Sequence, residues 1–213
     1  MWLKNFSMKF DKRQLEIRYY APIQMRPFSE QKTDPDMVLK EGVTLLENFG
    51  YTVLLSSGTL LGFVREKGFI PYDTDIDVHV VVDTQSAQVE PPHILHVLEA
   101  FKGSGFKLVR IMAYEKNKIM QLAFTYEDTI FDIEFVYTDL DKDFYITVHE
   151  HGYYEYDPHY FEVYADISRK ERRYKSPSPV KNYLAHRFGK DWKTPRGAKG
   201  PWQKDASNLV LWE

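Results

Sequence analysis

The chain has 213 residues, of which 43% are hydrophobic, 15% aromatic and 28% charged, which is enough for a compact domain with a sizeable core. This composition excludes a disordered chain and a collagen-like one. Because the sequence has no cysteine, it also excludes disulfides, thiolate zinc sites, iron–sulfur clusters and a cysteine nucleophile, so a bound metal must take oxygen or imidazole ligands.

The net charge of −3 is unevenly distributed along the chain. Residues 165–205 carry 12 lysines and arginines against 4 acidic residues, so this segment has a charge of +8 and the remainder −11. The basic segment indicates either an ordinary solvated surface or a surface that binds an anionic glycan or makes peripheral contact with a membrane. The acidic remainder disfavours nucleic acid as a partner. With neither a signal peptide nor a membrane-length apolar run in view, the sequence predicts a cytoplasmic location.

The first 36 residues show prolines and no sustained periodicity, and we interpret them as an N-terminal arm with at most one short strand. The remaining residues, 37–213, are expected to form a single domain with a basic C-terminal segment. Apolar residues at helical spacing follow Met37, with Asp36 as the predicted N-cap. A short buried strand at 52–55 then leads into the small residues 56–59 and a short helix.

Further along, the patterns predict a strand at 75–82, a helix at 92–101, and strands at 106–112, 118–126 and 129–137. Weaker strand candidates follow at 145–148 and 160–164, and a short helix is predicted at 180–188. This order is typical of an α+β fold with a mixed β-sheet flanked by helices.

The motif DTDID at 73–77 is the densest chemical pattern in the chain. Asp75 and Asp77 are two positions apart in a predicted strand, so both carboxylates project from one face about 7 Å apart. Carboxylates this close repel each other unless a cation neutralises them, and hard oxygen ligands favour Mg²⁺ or Mn²⁺. The alternative is that Asp75, Asp77 and His79 form the solvated face of a half-buried strand.

Two other features point to phosphate chemistry. Asp132 lies in a second acidic strand, FDIEF at 131–135, and would complete a three-carboxylate cluster of the kind used in phosphoryl transfer if the two strands are neighbours. The small residues Ser57, Gly58 and Thr59 precede a helix, where backbone groups approach a phosphate closely, although such a turn is often only a turn. Arg65 and Lys67 either neutralise a diphosphate or are exposed helix charges.

The segment 57–77, SGTLLGFVREKGFIPYDTDID, closely resembles the signature of the LicD family, the phosphocholine transferases that include the fukutin-related proteins. In that signature G-T-L-L-G and R-x-K-G-F-I-P precede W-D-D-D-I-D. The strand around Asp132 and the segment 183–195 resemble later motifs of the family, so the resemblance covers about residues 37–196. Here Tyr72 replaces the usual tryptophan and Thr74 replaces the middle aspartate, so any role of that acid is missing or dispensable.

The resemblance implies a nucleotidyltransferase-like fold and one LicD-like catalytic domain over 37–213. It also implies metal-dependent transfer of a phospho-alcohol, such as phosphocholine, from a CDP-activated donor to a glycan or lipid-linked sugar, releasing CMP. The implied catalytic and metal-binding residues are Asp75, Asp77 and Asp132, the last as ligand or general base, around Mg²⁺ or Mn²⁺. The implied substrate-binding residues are Ser57, Gly58, Thr59, Arg65, Lys67 and Asp73.

Three expectations stay open at this point. The same motifs serve a nucleotidyltransferase that moves NMP from an NTP, and a nucleotide- or glycan-binding module with a degenerate site is the non-enzymatic alternative. Glu134, where the family tends to be apolar, is expected at the surface or behind the ligands. The Tyr- and His-rich stretch 145–164 is interpreted as ordinary packing, with carbohydrate stacking or a site at His149 and His151 as alternatives.

Overall fold

The computed structural model describes residues 13, 15–82, 92–114, 118–139, 144–149, 152–195 and 208–211. Over these residues it contains eleven strands and four α-helices. The strands are β1 (Leu15–Tyr19), β2 (Val53–Leu55), β3 (Asp75–Val82), β4 (Lys107–Tyr114), β5 (Lys118–Tyr126), β6 (Thr129–Asp139), β7 (Phe144–His149), β8 (Gly152–Tyr156), β9 (Tyr164–Arg169), β10 (Arg172–Pro177) and β11 (Leu209–Leu211). The helices are α1 (Pro35–Asn48), α2 (Ser57–Arg65), α3 (Pro92–Phe101) and α4 (Val180–Phe188).

The strands form one mixed sheet in the order β1-β4-β5-β6-β3-β2-β10-β9, to which β7, β8 and β11 are attached beside β6. The pairs β3–β6 and β10–β2 are parallel, and the other pairs are antiparallel. The predicted mixed sheet flanked by helices is therefore confirmed. The strand β3 lies near the middle of the sheet, between β6 and β2.

Helices α1 and α3 cover one face of this sheet. Ile76, Val78 and Val80 alternate along β3 on that face and are completely buried, as is Phe131 of β6. The helix α1 approaches the sheet at Gly42, where a Cβ atom would lie 2.7 Å from the Phe131 ring. A larger residue at position 42 would therefore push the helix away from the core.

The opposite face of β3 carries Asp75, Asp77 and His79. His79 is completely buried, and its ring packs edge-on against Tyr183 of α4. The interpretation of these three residues as the solvated face of a strand is therefore wrong for His79, because α4 and the adjoining aromatic residues cover it.

The basic segment differs from the expected tail. It contains the hairpin β9–β10, whose strand β10 pairs with β2 and whose strand β9 forms the edge of the sheet. The strand predicted at 160–164 is wrong, because 158–161 form a 3₁₀ turn. The β10 segment RRYKSP lacks the alternation of apolar and polar residues that is typical of a half-buried strand. Tyr174 is the single large side chain that is buried there, so apolar periodicity gave no indication of a strand.

The N-terminal residues and the basic hairpin both bind to the body of the molecule. The strand β1 pairs with β4, and Asp34 rather than Asp36 caps α1 by accepting a hydrogen bond from the Asp36 backbone N–H. The side chain of Asp36 instead pairs with Arg169 of β9 at 2.8 Å. Within the described residues, none of the helices is both long enough and apolar enough to cross a membrane.

Candidate metal-binding and active site

Three aspartates converge where β3 begins. Asp75 and Asp77 lie on β3, and Asp73 lies in the turn before it. One carboxylate oxygen from each lies within 4.8 Å of the others, and all three side chains are partly exposed. Three carboxylate oxygens in this arrangement fit a hard divalent cation such as Mg²⁺ or Mn²⁺. The sequence interpretation assigned Asp73 to substrate binding, whereas the structure brings it into the acidic cluster itself.

The first turn of α2 supports this cluster. The Gly58 N–H donates to Asp77 Oδ2 at 3.0 Å, and the Asp77 N–H donates to the Thr59 hydroxyl at 2.9 Å. A Cβ atom on Gly58 would collide with the Asp73 carboxylate, so glycine is the residue that leaves room for it. Gly58 and Thr59, predicted to bind donor phosphates, are therefore adjacent to the cluster and hold Asp77 in place.

Asp132 lies beside the cluster but has its own partners. It stands directly opposite Asp77 in the β3–β6 register. Its Oδ2 atom accepts hydrogen bonds from Arg110 at 2.7 Å and from Gln121 at 3.2 Å. Its Oδ1 atom is buried without a hydrogen bond. Asp132 therefore has one oxygen fixed and one oxygen available for a ligand or a proton.

Arg110 is a site residue that the sequence analysis missed. It lies on β4 just after a register shift between Leu108 and Arg110, and its guanidinium contacts the buried Asp132. A lone arginine inside an otherwise apolar strand was the available indication, because such a charge is rarely buried without a carboxylate partner.

Burial and mutual repulsion change the protonation of these acids. Burial, followed by the charge of Asp75, raises the pKa of Asp73 to about 7. Burial also raises the pKa of Asp75, and burial together with neighbouring carboxylates raises the pKa of Asp77 well above its usual range. Burial raises the pKa of Asp132 to about 7, although the charge of Arg110 opposes this shift. The cluster therefore lacks the positive charge that would let all four acids ionise together.

The structure does not bring Arg65 and Lys67 into hydrogen bonds or ion pairs with the three aspartates. Arg65 donates to the Trp192 carbonyl at 3.1 Å and to Glu66 at 2.7 Å, and its side chain is only 8% exposed. Lys67 donates to the Val64 carbonyl at 3.2 Å. In this conformation Arg65 joins α2 to the closing segment of the chain, and Lys67 caps the end of α2.

A buried charged network lies next to the acidic cluster. Arg187 of α4 donates to Ser57 Oγ at 2.8 Å, to the Tyr156 hydroxyl at 2.8 Å and to Glu134 Oε1 at 3.0 Å. Glu134 also lies 3.2 Å from Nδ1 of His79, which stands opposite it in the β3–β6 register. Of the two positions expected for Glu134, the surface is wrong, because Glu134 is only 2% exposed; it lies behind the acidic cluster and pairs with Arg187.

Ser57 joins this network rather than standing alone at a phosphate-binding turn. Its φ of +42° places it in the left-handed region that non-glycine residues rarely adopt. The hydrogen bond from Arg187 holds the Ser57 side chain there, and the adjacent Gly58 holds Asp77. The network therefore connects α4 to the acidic cluster through two neighbouring residues of α2.

The aromatic stretch after β7 packs inside the protein. Tyr153, Tyr154, Tyr156, Tyr160 and Phe161 are all buried. This agrees with the interpretation as ordinary packing. The side chains of His149 and His151 lie outside the described residues.

Comparison with known protein families matches residues 50–178 to the family described as LicD/FKTN/FKRP, nucleotidyltransferase domain. The chain belongs to the LicD family. It is 50% identical over 36 residues to the lipopolysaccharide cholinephosphotransferase LicD of Haemophilus influenzae, a match that covers 17% of this chain and 14% of that protein. It is 26% identical over 126 residues to an uncharacterised protein of Rickettsia prowazekii, covering 56% of this chain and 42% of the relative.

Among solved structures, the lincomycin-bound lincosamide antibiotic adenylyltransferase LnuA matches with a TM-score of 0.48 and 15% sequence identity, covering 84% of this chain and 100% of that chain. The matches to the curated relatives span less than half of the length of those proteins. At the level of the LicD family, the domain is a transferase domain with a nucleotidyltransferase-like fold.

Proposed function

We propose that this LicD-family chain transfers a phospho-alcohol, such as phosphocholine, from a CDP-activated donor to a hydroxyl of a glycan or lipid-linked sugar, with release of CMP. The observation that carries the proposal is the convergence of Asp73, Asp75 and Asp77 beside the N-terminal end of α2. A divalent cation held by carboxylates would offset phosphate charge at such a position, and the N–H groups of a helix N-terminus add favourable potential there. The sequence expectation of a cytoplasmic location stays a prediction.

The acidic residues divide into two roles in this proposal. Asp73, Asp75 and Asp77 hold Mg²⁺ or Mn²⁺, and a bound cation offsets the negative charge of the donor diphosphate. Asp132 accepts the proton of the acceptor hydroxyl, for which a pKa of about 7 is well matched to reaction near neutral pH. Arg110 orients Asp132 by holding its Oδ2 atom.

The proposed step is an in-line displacement at phosphorus. The acceptor hydroxyl oxygen forms a bond to the β-phosphorus of the donor, and the bond between that phosphorus and the bridging oxygen breaks. CMP leaves with the bridging oxygen, and the hydroxyl proton passes to Asp132.

The test uses CDP-choline, CDP-ethanolamine, CDP-glycerol and CDP-ribitol, with Mg²⁺ or with EDTA. We expect one donor to raise the unfolding temperature and to release CMP only with the cation, since a ligand at about 100 times its dissociation constant stabilises by about 2.7 kcal/mol. The variants Asp75→Asn and Asp77→Asn should lose CMP release, with Asp166→Asn of the exposed β9 edge as the matched control. Near-normal activity of either cluster variant with saturating Mg²⁺ contradicts the proposal.

Analysis of the modified acceptor distinguishes the two enzymatic alternatives. A phospho-alcohol on the acceptor supports the proposed reaction, whereas a nucleoside monophosphate derived from an NTP indicates a nucleotidyltransferase. Donor binding that needs no metal and yields no product indicates a binding module.

A further inference from the structure

A pocket of about 550 Å³ lies against strands β4, β5 and β6, outside the acidic cluster. The loop that follows β1 covers it from one side and contributes Ile23, Arg26 and Lys32 to its lining. Its floor is aliphatic, because buried Val109 and Ile130 pack together with Ile23. The pocket therefore has an apolar base beneath a polar rim.

The sheet register places this pocket beside the aspartates. Ile130 of β6 lies opposite Asp75 of β3, and Thr125 of β5 lies opposite Ile130. Residues opposite each other on neighbouring strands share one face of the sheet, and neighbouring strands are about 4.8 Å apart. Since Ile130 and Thr125 both line the pocket, it begins one strand away from Asp75.

The covering loop is attached to the turn that carries Asp73. The Phe28 N–H donates to the Asp73 carbonyl at 2.8 Å, and the Ser29 N–H donates to the Pro71 carbonyl at 2.9 Å. The Gln31 amide donates to the Thr74 carbonyl at 3.2 Å. The wall of the pocket and one member of the metal-binding cluster therefore form a continuous hydrogen-bonded unit.

We propose that this pocket binds the acceptor, a polyhydroxylated sugar, and holds its reacting hydroxyl toward Asp132; the inference rests on the proposed function. In an in-line transfer the attacking and leaving oxygens lie on opposite sides of the phosphorus. The N-terminal end of α2 follows β2 on one side of β3, whereas the pocket and Asp132 lie on the β6 side. With the donor diphosphate beside α2, the acceptor enters from the pocket.

The polar rim matches the chemistry of a sugar. Arg26 and Lys32 offer donors, while Glu127 and Asp128 offer carboxylate acceptors. A hydroxyl group both donates and accepts hydrogen bonds, so a ligand with many hydroxyls satisfies both signs of charge, and its C–H face fits the aliphatic floor. The described lining residues include no aromatic ring, which disfavours a stacked nucleobase as the occupant.

The kinetic test compares acceptor and donor dependence in the full chain. From a panel of methyl hexosides and methyl N-acetylhexosaminides, we use the glycoside that gives the most transfer. Arg26→Ala and Lys32→Ala should each raise the KM for this glycoside about tenfold, the loss expected for one hydrogen bond to a charged group. The KM for the donor, and donor hydrolysis by water, should be unchanged. Arg173→Ala and Lys181→Ala are the matched surface controls.

A binding measurement gives a second readout without turnover. Saturation-transfer NMR with the same methyl glycosides should show binding to the wild-type chain, and Gln24→Trp, an exposed position on the covering loop, should abolish it by filling the pocket. An active chain whose acceptor KM and NMR binding are unchanged in these variants overturns the inference. A rise in donor KM instead shows that the pocket holds the donor. A wild-type chain that neither transfers nor hydrolyses any donor contradicts the proposed function. In that case the NMR measurement alone tests whether the pocket binds a glycoside.

Discussion

The candidate site formed by Asp73, Asp75 and Asp77 opposes folding when no cation is bound. Their oxygens lie within 4.8 Å of one another in a part of the protein where burial raises each pKa. Part of the cluster therefore keeps protons near neutral pH when no cation is present. The charged state, which a metal needs, is the state that the cation-free fold tolerates least.

This conflict predicts a stabilising substitution. The folded-state pKa of Asp73, about 7, lies above its usual value of 3.8, so its contribution to stability is greatest at low pH and is lost as pH rises through about 7. In EDTA, Asp73→Asn should therefore unfold at a higher temperature than wild type at pH 8, and the difference should shrink toward pH 4. One kcal/mol corresponds to about 2–4 °C in a chain of this size. Thermal unfolding at several pH values checks this, and a difference that is constant with pH contradicts it.

Addition of a cation should reverse the order of stability. Because Mg²⁺ or Mn²⁺ competes with protons for the carboxylates, it should raise the unfolding temperature of wild type more at pH 8 than at pH 6. Asp73→Asn should gain much less, while Asp166→Asn, an exposed aspartate on β9, should gain as much as wild type. An equal gain in all three proteins would show that the cation binds elsewhere.

At the scale of elements, α4 is the helix whose role was least apparent from the sequence. Its spacing predicted a short helix at 180–188, and this is confirmed. Nothing in the pattern distinguished Arg187 from the other cations of a basic segment. Its importance comes from burial and from Glu134, and both depend on how α4 packs over β3 and β6. Although burial alone would lower the pKa of Arg187, the charge of Glu134 raises it well above its usual range.

The pair Arg187–Glu134 predicts a non-additive pair of substitutions. Arg187→Met leaves Glu134 buried without its cation and should lower the free energy of unfolding by about 3–5 kcal/mol. Glu134→Gln removes the stranded charge, so the double variant should be more stable than Arg187→Met alone. Urea unfolding of the three variants measures this coupling.

Arg173→Met provides the control for that cycle. Because the Arg173 side chain is 78% exposed, this substitution should change the free energy of unfolding little. Two outcomes would contradict a stabilising buried pair. One is that Arg187→Met lowers the free energy of unfolding no more than this control does. The other is that the decreases in free energy of unfolding measured for Arg187→Met and Glu134→Gln simply add in the double variant.

Over the whole molecule, the sequence predicted the centre of the sheet better than its borders. The strands β3, β5 and β6 carry apolar residues at regular positions that face the core, and their predicted limits agree closely with the structure. The hairpin β9–β10 lies at the border of the sheet and buries only three of its twelve residues, so it lacked that pattern. The acidic motif was readable, whereas Arg110 and Arg187 became site residues only through packing between distant segments.

The charge asymmetry of the sequence is partly resolved inside the fold. Arg169 pairs with Asp36, Lys170 with Asp34 and Asp36, and Arg172 with Glu47. Three cations of the +8 segment, Arg169, Lys170 and Arg172, therefore attach the hairpin β9–β10 to the N-cap and body of α1. Peripheral membrane contact through this segment stays a prediction that must rely on its other cations.

Gln31 connects the N-terminal loop to two other parts of the molecule. We expect its substitution to affect both the stability of the fold and cation binding, and the two effects can be measured separately. Its amide donates to the carbonyls of Arg26 at 2.6 Å and Thr74 at 3.2 Å, and it accepts from the Thr129 hydroxyl at 2.6 Å. Gln31→Ala removes all three bonds and should cost about 1–3 kcal/mol of stability. Because Thr74 lies between Asp73 and Asp75, the same change should weaken cation binding severalfold.

Calorimetric titration with Mn²⁺, combined with urea unfolding in EDTA, measures the two effects separately. Gln24→Ala, whose residue lies on the same loop but is exposed, should leave both unchanged. A Gln31→Ala protein that is destabilised yet binds Mn²⁺ as tightly as wild type would show that the loop stabilises the fold without ordering the turn at Asp73. The expected result is the opposite, because Phe28 and Ser29 attach the same loop to the Asp73 and Pro71 carbonyls.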